Sequence, residues 1–183
     1  MGPVEGFFLS IALIVTLIGV ARNYNKELGN TVVFISTVML FAFGWEYGQG
    51  LLTQIDSVFS PDAVDLILGL LLTILFVSII FASYAGRTFD FRGKPVPPPG
   101  GTLLSLVVGM LNGYLVAGTL WFIQGITNYP LQRIFPWFVP ANLTPATDLI
   151  ATGTAWYWPP VLFPSPVFWA IPLAILLILR VRG

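Results

Sequence analysis

The sequence predicts an all-α integral membrane protein: one membrane domain over residues 1–183, a bundle of about five transmembrane helices with a Pro/Trp-rich outer interfacial segment. Three observations predict it. First, 56% of the residues are hydrophobic and only 9% are charged, against about 25% charged in soluble domains. So few charges cannot cover a water-facing surface, and lipid is the simplest alternative solvent. Second, five apolar segments recur at about 6–21, 31–52, 63–85, 102–124 and 167–181. Third, basic residues collect on alternate sides of those segments.

The first four segments approach or exceed the ~20 predominantly apolar residues that a span needs. The first lacks a basic leader, with Glu5 before it and Arg22 and Lys26 after it, so it reads as a retained helix rather than a signal peptide. Ser60-Pro61-Asp62 marks the start of the third as cap, N1 proline and first-turn acid. The stretch 93–101 (GKPVPPPGG) reads as a stiff polyproline connector. Thr144-Pro145 with Asp148 suggests a short extra helix ending near Gly153, and Ser165-Pro166 opens the fifth segment. That segment reaches roughly 24 Å, short of the ~30 Å hydrocarbon core. Pro172 inside it predicts a kink.

Five spans place Arg22, Lys26, Arg87, Arg92, Lys94, Arg180 and Arg182 on one side and only Arg133 on the other. Glu5, Glu46, Asp56, Asp62, Asp65 and Asp148 fall opposite the basic group, against Glu27 and Asp90 beside it. The positive-inside rule then predicts an N-terminus outside and a C-terminus in the cytoplasm. An even number of spans would break this segregation at the tail.

The outer segment 125–165 carries two charges, Arg133 and Asp148, and seven prolines. It is also rich in Trp, Phe, Leu and Ile. A solvated loop is more polar and a disordered one lacks aromatics, so an ordered, buried segment is predicted. Three placements stay open: a cap on its own bundle, a docking surface for a partner, or a re-entrant loop. Trp137, Phe138, Trp156 and Trp158 are the candidate partner contacts, because Trp is enriched among residues that dominate interface energy.

Span four repeats small residues every fourth position: Ser105, Gly109, Gly113 and Ala117. Such a face lets a second backbone approach closely. Gly44 and Gly48 in span two, and Ser78, Ala82 and Gly86 in span three, share the spacing. Asn112 is the clearest mid-span polar residue and predicts an interhelical hydrogen bond, with ligand or pigment contact as the alternative. Glu46, in GWEYGQG, is a candidate polar site because acids within membranes are costly and often functional.

There is no cysteine and no histidine, which removes thiolate chemistry, the commonest metal ligand and the usual neutral-pH base. No paired carboxylates, nucleophile elbow or phosphate loop stand out, and zero net charge gives no basic patch for nucleic acid. The expectation is a non-enzymatic protein without catalytic or metal residues, with lipid or pigment contact left open.

Two stretches resemble the CvpA (colicin V production protein) family of small bacterial inner-membrane proteins. One is Gly19, Arg22-Asn23 and Lys26-Glu27-Leu28; the other is Leu104-Ser105, Gly109 and Asn112-Gly113. The resemblance covers roughly residues 6–124. Asn23 stands where the family prefers Gly, Asn112 where it prefers Arg, and the extension from Gly125 has no counterpart. The resemblance implies location in the bacterial inner membrane and architecture more than mechanism. Together with the apolar outer segment, it leads to an expected accessory or scaffold subunit of a larger membrane complex. By analogy, photosynthetic and respiratory assemblies recruit such subunits. A small transporter or secretion component is the alternative.

Overall fold

A computed structural model describes residues 2–56, 58–86, 91, 96–141 and 144–182. Seven α-helices follow in order: α1 (Pro3–Arg22), α2 (Tyr24–Asp56), α3 (Pro61–Ala85), α4 (Gly100–Ile126), α5 (Leu131–Ile134), α6 (Ala146–Ala151) and α7 (Ala170–Arg182). Two 3-10 turns, Pro159–Val161 and Pro166–Trp169, precede α7. No strand occurs among the described residues. Helices α1 to α4 are long and apolar enough to cross a membrane; the stretch through α7 is apolar but shorter. Arg87, Asp90, Arg92 and Lys94, with part of the polyproline connector, lie outside the described residues.

The largest departure from the sequence reading is at the first turnaround. Residues 22–30, read as a loop, are almost wholly helical, and α1 and α2 are joined by Asn23 alone. Asn23 has φ 79° and ψ 140°, positive-φ backbone that asparagine tolerates better than most side chains. The helix can continue through polar residues because their side chains find partners inside the bundle, as described below. At the far end of the chain, Pro172 produces no interior kink. The α-helix begins only at Ala170, so Pro172 sits in its first turn, where a missing N–H and a fixed φ are tolerated.

Helix α4 is the hub. Its most apolar window is 61% buried, against 17% for α3. One face meets α1 and another meets α2, while α3 leans on its final turns. The core runs through Phe8 and Val15 of α1, Phe34, Val38 and Phe41 of α2, Phe76 of α3, and Leu115, Phe122 and Ile123 of α4. Large apolar side chains on the outside, such as Leu17, Ile74 and Phe81, are exposed, the arrangement a lipid solvent permits.

The bundle has two chemically distinct ends. The base-rich end holds Arg22 and Lys26; the acid-rich end holds Glu5, the α2–α3 hairpin and segment 125–165. At the acid-rich end the hairpin overshoots. Gly69 of α3 is already level with Thr127 and Pro130, beyond the end of α4: a Cβ there would lie 2.5 Å from both side chains. The α3 residues before Gly69 therefore project about 12 Å further at ~1.5 Å per residue. On α2, Trp45 packs edge-on against Phe122 at 5.8 Å, so its last turns project similarly.

Candidate functional site

Three features concentrate the chemistry of this chain: a polar cluster at the base-rich end, the folded segment 125–165, and the exposed hairpin tip.

The polar cluster centres on Glu27, which is fully buried. Its carboxyl oxygens accept hydrogen bonds from Asn30 Nδ2 (3.3 Å), Asn112 Nδ2 (2.9 Å) and the Tyr84 hydroxyl (3.3 Å). Arg22 Nε lies 3.7 Å away, with its guanidinium over the Tyr84 ring. Asn112 also donates to the Glu27 carbonyl at 3.1 Å, and its Oδ1 accepts from Thr31 at 2.7 Å. Ser83 completes the set by donating to Asn30 Oδ1 at 2.8 Å. Residues of all four long helices meet here. Every group facing the carboxyl oxygens is a donor, so this acid is held as an acceptor and not aimed into a cavity.

From sequence, Asn112 is expected to bond between helices, and Glu27 falls in an expected loop. A signal was present: Glu27, Asn30 and Thr31 are spaced to share one helical face. Glu46, chosen instead, is exposed on the side of α2 where the hairpin begins to project.

The small-residue face of α4 meets α1. A Cβ on Gly109 would lie 2.8 Å from Thr16 O, and one on Gly113 would lie 2.9 Å from Thr16 Oγ1. Ser105 and Ala117 are buried on the same side. A second small-residue face, not anticipated, receives segment 125–165. At Gly118 a Cβ would meet Tyr157 O at 2.6 Å, and at Gly125 it would meet the Trp158 ring at 2.5 Å. By contrast, Gly44 and Gly48 have nothing within 4 Å of a Cβ. Ser78 and Ala82 are exposed, while Gly69, Thr73, Phe76, Ser83 and Tyr84 make contacts from α3 to the bundle. The predicted seams on α2 and α3 are therefore not packing faces in this chain.

Segment 125–165 is folded back on the bundle. Phe8 stacks on Trp121 (5.3 Å), Trp121 meets Tyr157 (4.5 Å), and Phe138 packs edge-on against Phe7 and Phe8. Trp121 Nε1 donates to the Tyr129 hydroxyl at 3.1 Å, and burial pushes that phenol up to about 12. The four aromatic candidates divide. Trp158 and Phe138 are 0% and 1% exposed; Trp156 and Trp137 are 68% and 55% exposed. Only the last two can meet a partner, and Trp158 is part of the core.

The hairpin tip is braced on one flank. Asn128 Nδ2 donates to Asp65 at 2.5 Å, and Arg133 lies 3.4 Å from Asp62. The rest is open: Leu51, Ile55, Val58, Phe59 and Ile67 are exposed, around an apolar cleft of about 280 Å³ between the two helices.

No family model, no curated protein and no solved structure matches this chain.

Proposed function

We propose that this chain is a non-enzymatic accessory or scaffold subunit of a larger bacterial membrane complex, photosynthetic or respiratory assemblies being the analogues. In this reading it resembles CvpA proteins, crosses the inner membrane five times, and has its N-terminus outside and C-terminus in the cytoplasm. The observation that carries the reading is the overshooting hairpin. Helix α1, at 20 residues, is about 30 Å long and matches the hydrocarbon core by itself. Helix α2, at 33 residues, is about 50 Å long. The excess lies beyond the acid-rich ends of α1 and α4, where this reading has lipid tails no longer covering it; it carries Gln49, Thr53, Asp62 and Asp65, yet Leu51, Ile55, Val58, Phe59 and Ile67 stand exposed among them. An apolar surface in that zone calls for protein cover. Trp137 and Trp156 stand exposed at the same end and supply the large aromatic anchors that interfaces favour.

The alternative, a small transporter or secretion component, rests on the resemblance and on Glu46, and an exposed acid on the outside of α2 offers no polar path. Glu27 is buried, but its oxygens are engaged by donors from neighbouring helices, the arrangement of a pin between helices.

The test is purification from native membranes in mild detergent, with identification of the chains that remain bound. Replacing Trp137 and Trp156 together with Ala should cost at least about ten-fold in partner retention, since hot-spot truncations exceed ~2 kcal/mol. The unfolding midpoint should stay unchanged. A variant that retains its partners like the parent, or a parent that retains none, would end the docking reading.

A further inference from the structure

A second apolar feature is separate from the hairpin tip, though Trp156 of the docking reading lines part of its rim. Between α1 and α4 runs a groove of about 780 Å³, within the ~300–1,000 Å³ range of small-molecule sites. Its walls are Leu9 and Leu13 from α1 and Leu106 and Met110 from α4, all exposed, so it opens sideways into the lipid zone. It extends along α1 from Glu5 to Thr16, roughly 16 Å at ~1.5 Å per residue, about one leaflet of a ~30 Å core. One end is deep and apolar: Thr16 there spends its hydroxyl on Ala12 O at 2.7 Å and Gly109 O at 3.4 Å. The other end is polar, formed by Glu5 and Tyr157. Glu5 Oε1 accepts from Ala141 N at 2.8 Å on the exposed side of the carboxylate, while Oε2 is buried towards Gly2. No basic residue lines the groove. Glu5 and Tyr157 line the same mouth, and the Tyr157 phenol is pushed up, first by burial and then by the Glu5 charge.

We propose that this groove binds one acyl chain of a glycerophospholipid whose primary-amine headgroup is held at Glu5. The length of the groove, its apolar walls and its single acidic end match that amphiphile from tail to head. An anionic headgroup would meet an acid with no compensating base. A quaternary headgroup has no N–H to give the exposed side of the Glu5 carboxylate, whereas an ammonium donates directly.

The test uses the full chain in nanodiscs containing equal ethanolamine and choline phospholipids of identical chains, read by native mass spectrometry of retained lipid. The expected result is an ethanolamine preference of about ten-fold, the factor given by one charge-assisted hydrogen bond. Glu5→Gln keeps an acceptor for Ala141 N–H and should bring the preference close to one-to-one while lipid remains bound. Met110→Trp fills an exposed part of the groove and should remove the retained lipid without lowering the unfolding temperature. Equal retention of both headgroups by the parent would overturn the proposal. So would a preference that survives Glu5→Gln, lipid retention by Met110→Trp equal to the parent, or a polypeptide seated in the groove.

Discussion

A single glutamate decides how the base-rich end is built. Glu27 would be an expensive group to bury without partners; with Arg22, Asn30, Tyr84 and Asn112 around it, it ties four helices at one point. Hydrogen bonds in membranes average only ~0.6 kcal/mol each, so the sum of pairs is modest. Removing the acid is a different matter, because it takes the acceptor from the Asn30 amide and the Tyr84 hydroxyl and the counter-charge from a largely buried guanidinium. Glu27→Leu should therefore destabilise by about 3–5 kcal/mol, the cost of breaking a buried pair from one side. Glu27→Gln, which keeps an acceptor, should cost less. Detergent-based unfolding measures both, and a Leu variant as stable as the parent would show that the cluster pins nothing. The position was hard to read from sequence because charge near Arg22 and Lys26 suggests a loop. Its burial depends on Asn112, 85 residues away, and no local pattern encodes that pairing. Trp158 was misread for a related reason: its core role is set by the absence of a side chain at Gly125.

Among the elements, four apolar helices were legible because hydropathy and length are local properties, and their predicted bounds differ from the observed ones mainly at polar ends. The seams were legible only in part. Spacing of four identifies a small-residue face but does not say whether a neighbour lies opposite it. Gly109 and Gly113 face the α1 backbone, whereas Gly44 and Gly48 face open space. Leucine at Gly109 or Gly113 should thus separate α1 from α4 and cost at least the ~1–3 kcal/mol of overpacking. Leucine at Gly44 should stay within about 0.5 kcal/mol, as surface substitutions do. Thermal unfolding of the variants side by side checks this contrast; equal losses at both sites would mean that the α2 glycines also meet a helix.

At the scale of the whole molecule, four helices are long and apolar enough to cross a membrane, and the proposal of a fifth crossing through the shorter α7 rests on the charge segregation in the sequence. Reporter fusions before Pro3 and after Gly183 should read on opposite sides of the membrane, and a pair reading on the same side would leave α7 lying on the surface. The hairpin extends past the acid-rich end of α4, and the accessory-subunit reading takes its exposed leucine, isoleucine, valine and phenylalanine side chains to stand beyond the lipid tails. That placement is the root of the accessory-subunit reading, because a chain serving only itself would gain by ending α2 near Gly48 or by making the tip polar. The most direct measurement is photo-crosslinking in native membranes. Probes placed at Leu51, Ile55 and Ile67 on the hairpin tip should capture one discrete partner polypeptide. Probes at Ile14 and Ile74, exposed on the sides of the bundle, should capture lipid. Lipid adducts alone from the tip positions would contradict the account.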